Sequence, residues 1–297
     1  TPLYSSAASD VYKRQGQGDE VAMPSYVCTA VLHAVRHAHA RPLLADIDPA
    51  TFNLDTSHLK RVLTRRTRAI VVPHMFGLPA DLTELREAGL PIVEDCAHAV
   101  GATYHERPVG GWGDVSIFSF YATKMMTTGE GGMVVSNSAD LLDKVRDLRE
   151  YDKKEDDVLR FNYKMTDIAA ALGIVQLSRI PAFVARRTAI AEQYSGELSG
   201  LRLLCPATVR GRTHVFYRYV ARVPGGSERL ISRMSARGVQ CECPVFTPLH
   251  RLLGMQGFPG TEVAHSEAVS IPIYPSLTNE EVEVVVRTVR EELAERP

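Results

Sequence analysis

The chain has 297 residues, 45% of them hydrophobic, and a formal net charge of −1 from 34 basic and 35 acidic side chains. That length suits about two domains of roughly 150 residues each, and with no long block of either sign the charge pattern argues against nucleic acid or an anionic membrane as partner. No unbroken apolar run nears the roughly 18 residues that span a bilayer, no signal-peptide pattern opens the chain, and five cysteines in so long a chain form no disulfide framework, so a reduced cytoplasmic protein is expected.

Residues 1–15, within "TPLYSSAASDVYKRQGQ", show no periodicity and join abruptly to "GDEVAMPSY". They read as foreign to the fold or disordered, ahead of a fragment truncated at its amino terminus. Four short runs follow: "DEVAMP" (19–24), "RPLLADID" (41–48), "AIVVPHM" (69–75) and "LPIVED" (90–95). Rich in Val, Ile, Leu and Ala without strict alternation, they have the pattern of strands covered on both faces. Helical patterns lie between them, at residues 25–38, 57–64 and 81–88. The alternation predicts an α/β fold with a mostly parallel sheet covered by helices. His33 and His37 form an i, i+4 pair with His39 nearby, but no carboxylate motif accompanies them, so a solvated helix face is expected.

From Met165 to Leu198 the pattern is helical. Within it "TDIAAALGIVQL" is apolar on nearly all sides, which predicts burial, and Pro181 is expected to break or kink the helix. Past "CPATVRG", "HVFYRYVARV" reads as an aromatic, alternating strand, followed by a helix at 227–237 and a Pro-punctuated stretch at 244–260. A last helix opens with a capping box of Thr278 and Glu281. The change of domain is placed near 185–210, giving a large domain over 16–190, incomplete at its start, and a smaller α/β domain over 191–297. Cys241-Glu242-Cys243 lacks the second ligand cluster that zinc sites use, so alternating strand positions are expected and no metal ligand is assigned.

Ligands of open parallel sheets sit beyond the carboxyl ends of the strands. Asp95 closes "PIVED" and Lys124 follows "IFSF", so both fall at such ends. A lysine amine condenses with an aldehyde when held in a nearly dry pocket, and a carboxylate against a pyridine nitrogen keeps that ring protonated as an electron sink. This division of labour is that of pyridoxal phosphate. The "TTGEGG" beside Lys124 then supplies tight turns and close backbone approach.

The block "VEDCAHAVGATYHERPVGGWGDVSIFSFYATKMMTTGEGGMVV" resembles the centre of the DegT/DnrJ/StrS family of pyridoxal-phosphate-dependent sugar aminotransferases. "DIDPATFNLD", "FNYKMTDIAAALGIVQL", "PVFTPLH" and "SIPIYPSLT" have counterparts there too, in order, from about Gly18 to the carboxyl end. The resemblance implies the type I fold of pyridoxal-phosphate transferases. It also implies that Lys124 bonds the cofactor aldehyde and moves the substrate proton, that Asp95 pairs with the ring nitrogen, and that His98 lies near the phenolic oxygen. Ser119 would bind the phosphate, and Asn162 (with Lys164 as its substitute) would reach the neighbouring subunit's phosphate, making a homodimer with shared active sites. Cys28 occupies the position where many members stack Phe or Trp on the ring. The family's "SGT-x-A-L" phosphate segment has no counterpart before Gly18. "CECPVFTPLH" offers Phe246 and His250 as substrate contacts, weighed equally against an ordinary Pro-rich connection.

The reaction so implied moves an amino group from L-glutamate or L-glutamine to a keto-sugar, nucleotide-linked in the manner of the family, for amino-sugar and polysaccharide biosynthesis. An aminocyclitol acceptor and a catalytically impaired regulatory or binding protein are the alternatives. Family dehydratases carry histidine where this chain has Lys124, and no G-x-G-x-x-G follows a strand as nicotinamide enzymes require.

Overall fold

The computed structural model describes residues 18–294, so the expectation for residues 1–15 lies outside the described residues. Among the described residues ten strands form in chain order: β1 (Glu20–Pro24), β2 (Arg41–Ala45), β3 (Thr67–Pro73), β4 (Ile92–Asp95), β5 (Thr103–Tyr104), β6 (Arg107–Pro108), β7 (Val115–Ser119), β8 (Gly132–Val135), β9 (Tyr219–Arg222) and β10 (Ala268–Ile271). Six make the central sheet in the order β2-β1-β3-β4-β7-β8, parallel except for β8. The inner strands β1 and β4 are buried along their whole length, while the edge strands β2 and β8 are partly exposed. This accounts for their unbroken apolar runs, because helices cover both faces of a parallel sheet.

The crossovers are the helices α1 (Thr29–His37), α2 (Thr56–Val62) and α3 (Leu82–Arg86). Asp55 caps α2 by accepting from the Ser57 and His58 amides, and Asp81 caps α3 through the Glu84 amide. His33 and His37 are exposed on α1, as expected. After β8 come α4 (Ala139–Leu148), α5 (Asp167–Glu197), α6 (Glu228–Ala236), α7 (Leu249–Leu252), α8 (Pro259–Glu267) and α9 (Asn279–Ala294). At the start of α9 Thr278 N donates to Glu281 Oε2 at 2.8 Å and Glu281 N to Thr278 Oγ1 at 3.2 Å, the reciprocal pair the sequence predicts. The aromatic run "HVFYRYVARV" is a strand only over β9, paired antiparallel with β10.

Helix α5 is not broken at Pro181 and does not have the burial expected of it. It runs through Pro181 without ending. The carbonyl that loses its donor there belongs to Leu177, which is exposed and can bond to water. Nor is the helix buried: Ile168 is 86% exposed and Ile174 71%, with Leu172, Val175 and Leu177 also exposed. A helix apolar all round needs cover all round, and this chain supplies one side. Its length and composition, with an 18-residue window of mean hydropathy 1.7, also suffice to cross a membrane, a property that the search for unbroken apolar runs missed. Along its buried side, Ile180, Phe183 and Val184 join the core that contains Ile70 and Ile92. Further on, Ile190, Ala191 and Tyr194 join the core of β9, β10, α6 and α9.

Candidate active site

Asp95 ends β4 in register with Pro73 of β3 and Ile117 of β7. Since β4 and β7 are parallel, Asp95 and Ser119 emerge at the same edge of the sheet. There a cavity of about 550 Å³ opens, lined by Asp95, Lys124, His98, Ser119, Cys28 and Phe246. Phe246 stands at its mouth, 95% exposed.

Lys124 rides on a loop closed at its neck. Phe120 N donates to Gly131 O at 2.9 Å and Thr128 N returns to Phe120 O at 2.9 Å. Gly131 adopts φ +151°, and a Cβ there would meet Thr128 Oγ1 at 2.5 Å. This close approach explains Gly131, and the φ of +79° at Gly129 explains a second glycine of "TTGEGG".

Asp95 accepts a hydrogen bond from Ala97 N at 3.0 Å and, among the described residues, forms no ion pair. Burial pushes its carboxyl up from the usual range, against the Ala97 amide and the charges of Lys124 and His74. Burial, aided by the charges of Lys124 and Arg218, holds His98 well below the ordinary imidazole range, so its ring is neutral at neutral pH. That ring lies between Phe76, at 6.2 Å, and Tyr217, at 4.3 Å and 20°. Cys28 is exposed at the cavity wall, where desolvation by the surrounding residues and the nearby Asp95 raise its thiol. Cys28 also precedes α1 without a side-chain cap, and Thr29, Ala30 and Val31 of its first turn line the cavity.

The remaining expected residues lie elsewhere. His250 is buried, its Nδ1 2.7 Å from Ser25 Oγ and its Nε2 2.6 Å from Glu262 Oε1, and it does not line the cavity. It packs as a bonded core histidine, because α7 turns its ring toward Ser25. Asn162 is exposed and also outside the cavity, on a segment pinned to the end of α4 by Phe161 N–Leu148 O and Tyr163 N–Arg149 O. Lys164 is tied to Glu150 at 2.6 Å.

Among the wall residues that the sequence reading did not single out are Phe76, Tyr217 and Arg218. Phe76 has φ +56°, a strained value for an aromatic residue, within the short turn Met75–Gly77. Its carbonyl accepts from Arg218 N at 3.4 Å and Gly77 O from Val215 N at 3.0 Å, so the strained turn docks the segment that carries Tyr217 and Arg218. Arg218, flanked by Tyr217 and Tyr219 in "HVFYRYVARV", was the available signal.

Behind Asp95, Glu94 is fully buried. It accepts from the amides of Gly110 (2.8 Å), Trp112 (2.6 Å) and Gly113, and meets His74 Nε2 at 3.2 Å. Burial pushes its carboxyl up, but His74 and the amides outweigh that and bring it to about 2. His74, Glu94 and Cys96 lie close enough to hold a metal, yet His74 Nδ1 already accepts from Ala80 N and Glu94 from the loop amides. These ligand atoms already serve the fold.

The donor set fits pyridoxal phosphate. Asp95 is a buried carboxylate that lacks an ion-paired cation among the described residues, which a protonated ring nitrogen would supply. Lys124 shares its cavity, and the Ser119 hydroxyl and uncapped α1 amides suit a phosphate.

The profile of the DegT/DnrJ/EryC1/StrS aminotransferase family matches residues 8–290, beginning within the stretch that the sequence alone reads as foreign. The GDP-perosamine synthase of Caulobacter vibrioides is 34% identical over 291 residues, 91% of this chain and 78% of that protein. The dTDP-3-amino-3,4,6-trideoxy-alpha-D-glucose transaminase of Micromonospora megalomicea subsp. nigra is 33% identical over 93% of this chain and 79% of its own length. Among solved structures, DesV of S. venezuelae, in complex with a ketimine intermediate, superposes with a TM-score of 0.92 at 31% identity, covering 100% of this chain and 83% of that one. With its parallel sheet, its cavity at the strand ends and this match over nearly all its length, the chain belongs to the DegT/DnrJ/EryC1/StrS aminotransferase family.

Proposed function

We propose that this chain is a pyridoxal-phosphate-dependent transaminase that moves an amino group from L-glutamate or L-glutamine to a ketone on a nucleotide-linked sugar. The observation that carries the reading is one cavity, at the carboxyl edge of the sheet, lined by both Asp95 and Lys124. Relatives named for GDP- and dTDP-linked sugars support the acceptor class.

In this reading Asp95 holds the ring nitrogen, Ser119 and the α1 amides hold the phosphate, and His98 stands by the phenolic oxygen. Cys28 forms part of the wall against the ring. When bound, the cofactor supplies the electron sink that lets a substrate C–H bond ionise. Lys124 takes the proton from the donor carbon and returns one to the acceptor carbon. Phe246, at the mouth, is placed to touch the sugar.

The active unit is a homodimer in the cytoplasm, with residues 16–190 as the cofactor domain and 191–297 as the smaller one. The uncovered face of α5 supports the dimer, as does the exposure of Asn162 on the segment leading into that helix. The hand-over of α5 between two cores supports the division. The test is to mix purified protein with pyridoxal phosphate and screen keto-sugar nucleotides against glutamate and glutamine. A yellow protein, colour lost in Lys124→Ala, and donor-dependent amino-sugar formation are expected. Protein that stays colourless would overturn the reading.

A further inference from the structure

The cavity of Lys124 shares a wall with a second, more open one of about 750 Å³. Thr123, Tyr217 and Arg218 line both. Lys124 Nζ stands 5.1 Å from the centroid of the Tyr217 ring and Arg218 Cζ 5.8 Å from the same centroid, so two cations share one aromatic ring. Of the residues that line the Lys124 cavity, the charged ones are Asp95, Lys124 and Arg218, beside His74 and His98. Lys124 is committed to the chemistry. Arg218 is therefore the cation left to meet a substrate anion.

Its present partners are exchangeable. Arg218 Nη1 pairs with Glu242 Oε1 and lies 3.3 Å from Ser270 Oγ. The Glu242 side chain is 63% exposed and that of Arg218 28%. An exposed ion pair of this kind contributes little, so a carboxylate arriving in the more secluded cavity competes with Glu242 on good terms.

We infer that Arg218 clamps a carboxylate of the amino donor and that Glu242 occupies the clamp when no donor is bound. The inference rests on the aminotransferase reading and names how that one site accepts two unlike substrates. The donor is an amino acid with at least one carboxylate, whereas the reacting sugar ring has none. Glu242 moving aside creates the anion subsite, and its return leaves Arg218 neutralised while the sugar occupies the cavity. The ligand is a carboxylate, because it takes over one for one the place that the Glu242 carboxylate holds on the guanidinium. The backbone also fixes the clamp: Arg187, itself buried without an acidic partner among the described residues, donates Nη1 to Phe216 O (3.1 Å), Tyr217 O (3.0 Å) and Ile273 O (2.8 Å).

The test uses the protein loaded with pyridoxal phosphate, in wild-type form and as Arg218→Gln and Glu242→Gln. The amino-donating half-reaction is followed by the loss of visible absorbance at varied L-glutamate and L-glutamine. Glutarate, a dicarboxylate without an amine, is titrated calorimetrically so that binding is read apart from turnover. The accepting half-reaction is run separately with a keto-sugar nucleotide. Arg218→Gln is expected to weaken donor and glutarate about 30-fold or more and to leave the keto-sugar within about twofold. Glu242→Gln is expected to act in the opposite direction, tightening both about two- to fivefold by removing the competitor.

Equal losses for glutamate and glutamine in Arg218→Gln assign the α-carboxylate, and loss for glutamate alone assigns the side-chain carboxylate. Both support the clamp. Weakening by both substitutions alike marks a structural ion pair and overturns it, as does a loss confined to the sugar nucleotide. Wild-type protein that accepts no amino group sinks the aminotransferase reading itself, whereas an active wild type with a donor-insensitive Arg218→Gln sinks the clamp alone.

Discussion

Lys124 Nζ lies 5.1 Å from the centroid of the Tyr217 ring, whose plane stacks on His98 at 4.3 Å. The two residues are 93 positions apart, and the contact orients the amine within its cavity. A cation held over such a ring is stabilised by about 1–2 kcal/mol when partly desolvated. Tyr217→Phe keeps the ring face and loses the long 3.4 Å contact to Thr123 Oγ1, so turnover within about twofold of wild type is expected. Tyr217→Leu removes the face and is expected to slow turnover roughly 5- to 30-fold. Steady-state rates of amine transfer, with circular dichroism to confirm folding, check both; a Leu variant as fast as the Phe variant would refute the role.

Asp95→Asn keeps a side-chain oxygen for the Ala97 amide and discards the charge. Removing one partner of a buried ion pair costs about 3–5 kcal/mol, so pyridoxal phosphate should bind at least about a hundredfold more weakly. Titration of the visible absorbance measures this. Thermal unfolding of the cofactor-free variant should match wild type or exceed it, because in the apoprotein Asp95 is a buried carboxylate that forms no ion pair among the described residues.

Glu94 ties the 110–113 loop to β4, and its acidity links fold to pH. Its carboxyl lies at about 2 in the folded chain against an ordinary value of 4.5. The folded state therefore favours the ionised form. That contribution is complete above about pH 4.5 and is lost as pH falls toward 2. Glu94→Gln offers one acceptor oxygen where three amides point, and is expected to lose about 3–5 kcal/mol at pH 7. Denaturant unfolding across the pH range should show wild type and variant converging below pH 4.5. A gap that stays constant down to pH 2 would show that the stabilisation does not depend on the ionised carboxylate.

How far the chain could be read from its letters follows from where each signal resides. Asp95 and Lys124 each follow an apolar run, and a parallel sheet brings such ends to one edge, so local pattern plus fold class points to the cavity they line, whereas Ser119 was legible only through the family resemblance. Tyr217 and Arg218 enter the wall because the strained Phe76 turn pairs with their backbone across more than 130 positions, and no spacing in the sequence records that contact. His250 lies off the cavity for the converse reason: its bonds to Ser25 and Glu262 are tertiary, and a polar residue in a Pro-rich stretch looks the same whether it meets substrate or the core, so the sequence weighs the two equally. The burial of α5 was misjudged because hydropathy reports that a surface wants cover and not which chain provides it.

That uncovered face gives the last prediction. Ile168 is 86% exposed and Ile174 71%, on the helix that directly follows the segment of Asn162. Covering an isoleucine side chain stabilises by about 1.5–3 kcal/mol, so a second copy seated here would draw much of its affinity from these two positions. Ile168→Glu and Ile174→Glu together should weaken self-association about a hundredfold or more while leaving the fold intact, since neither side chain enters this chain's own core. Sedimentation velocity over a concentration series reads the change directly. If Asn162 serves a neighbouring site, transamination and cofactor retention should fall in step with dissociation and recover at high protein concentration. A wild-type chain that sediments as a monomer at every concentration would leave Asn162 without a partner to serve, and the shared-site dimer would have to be abandoned.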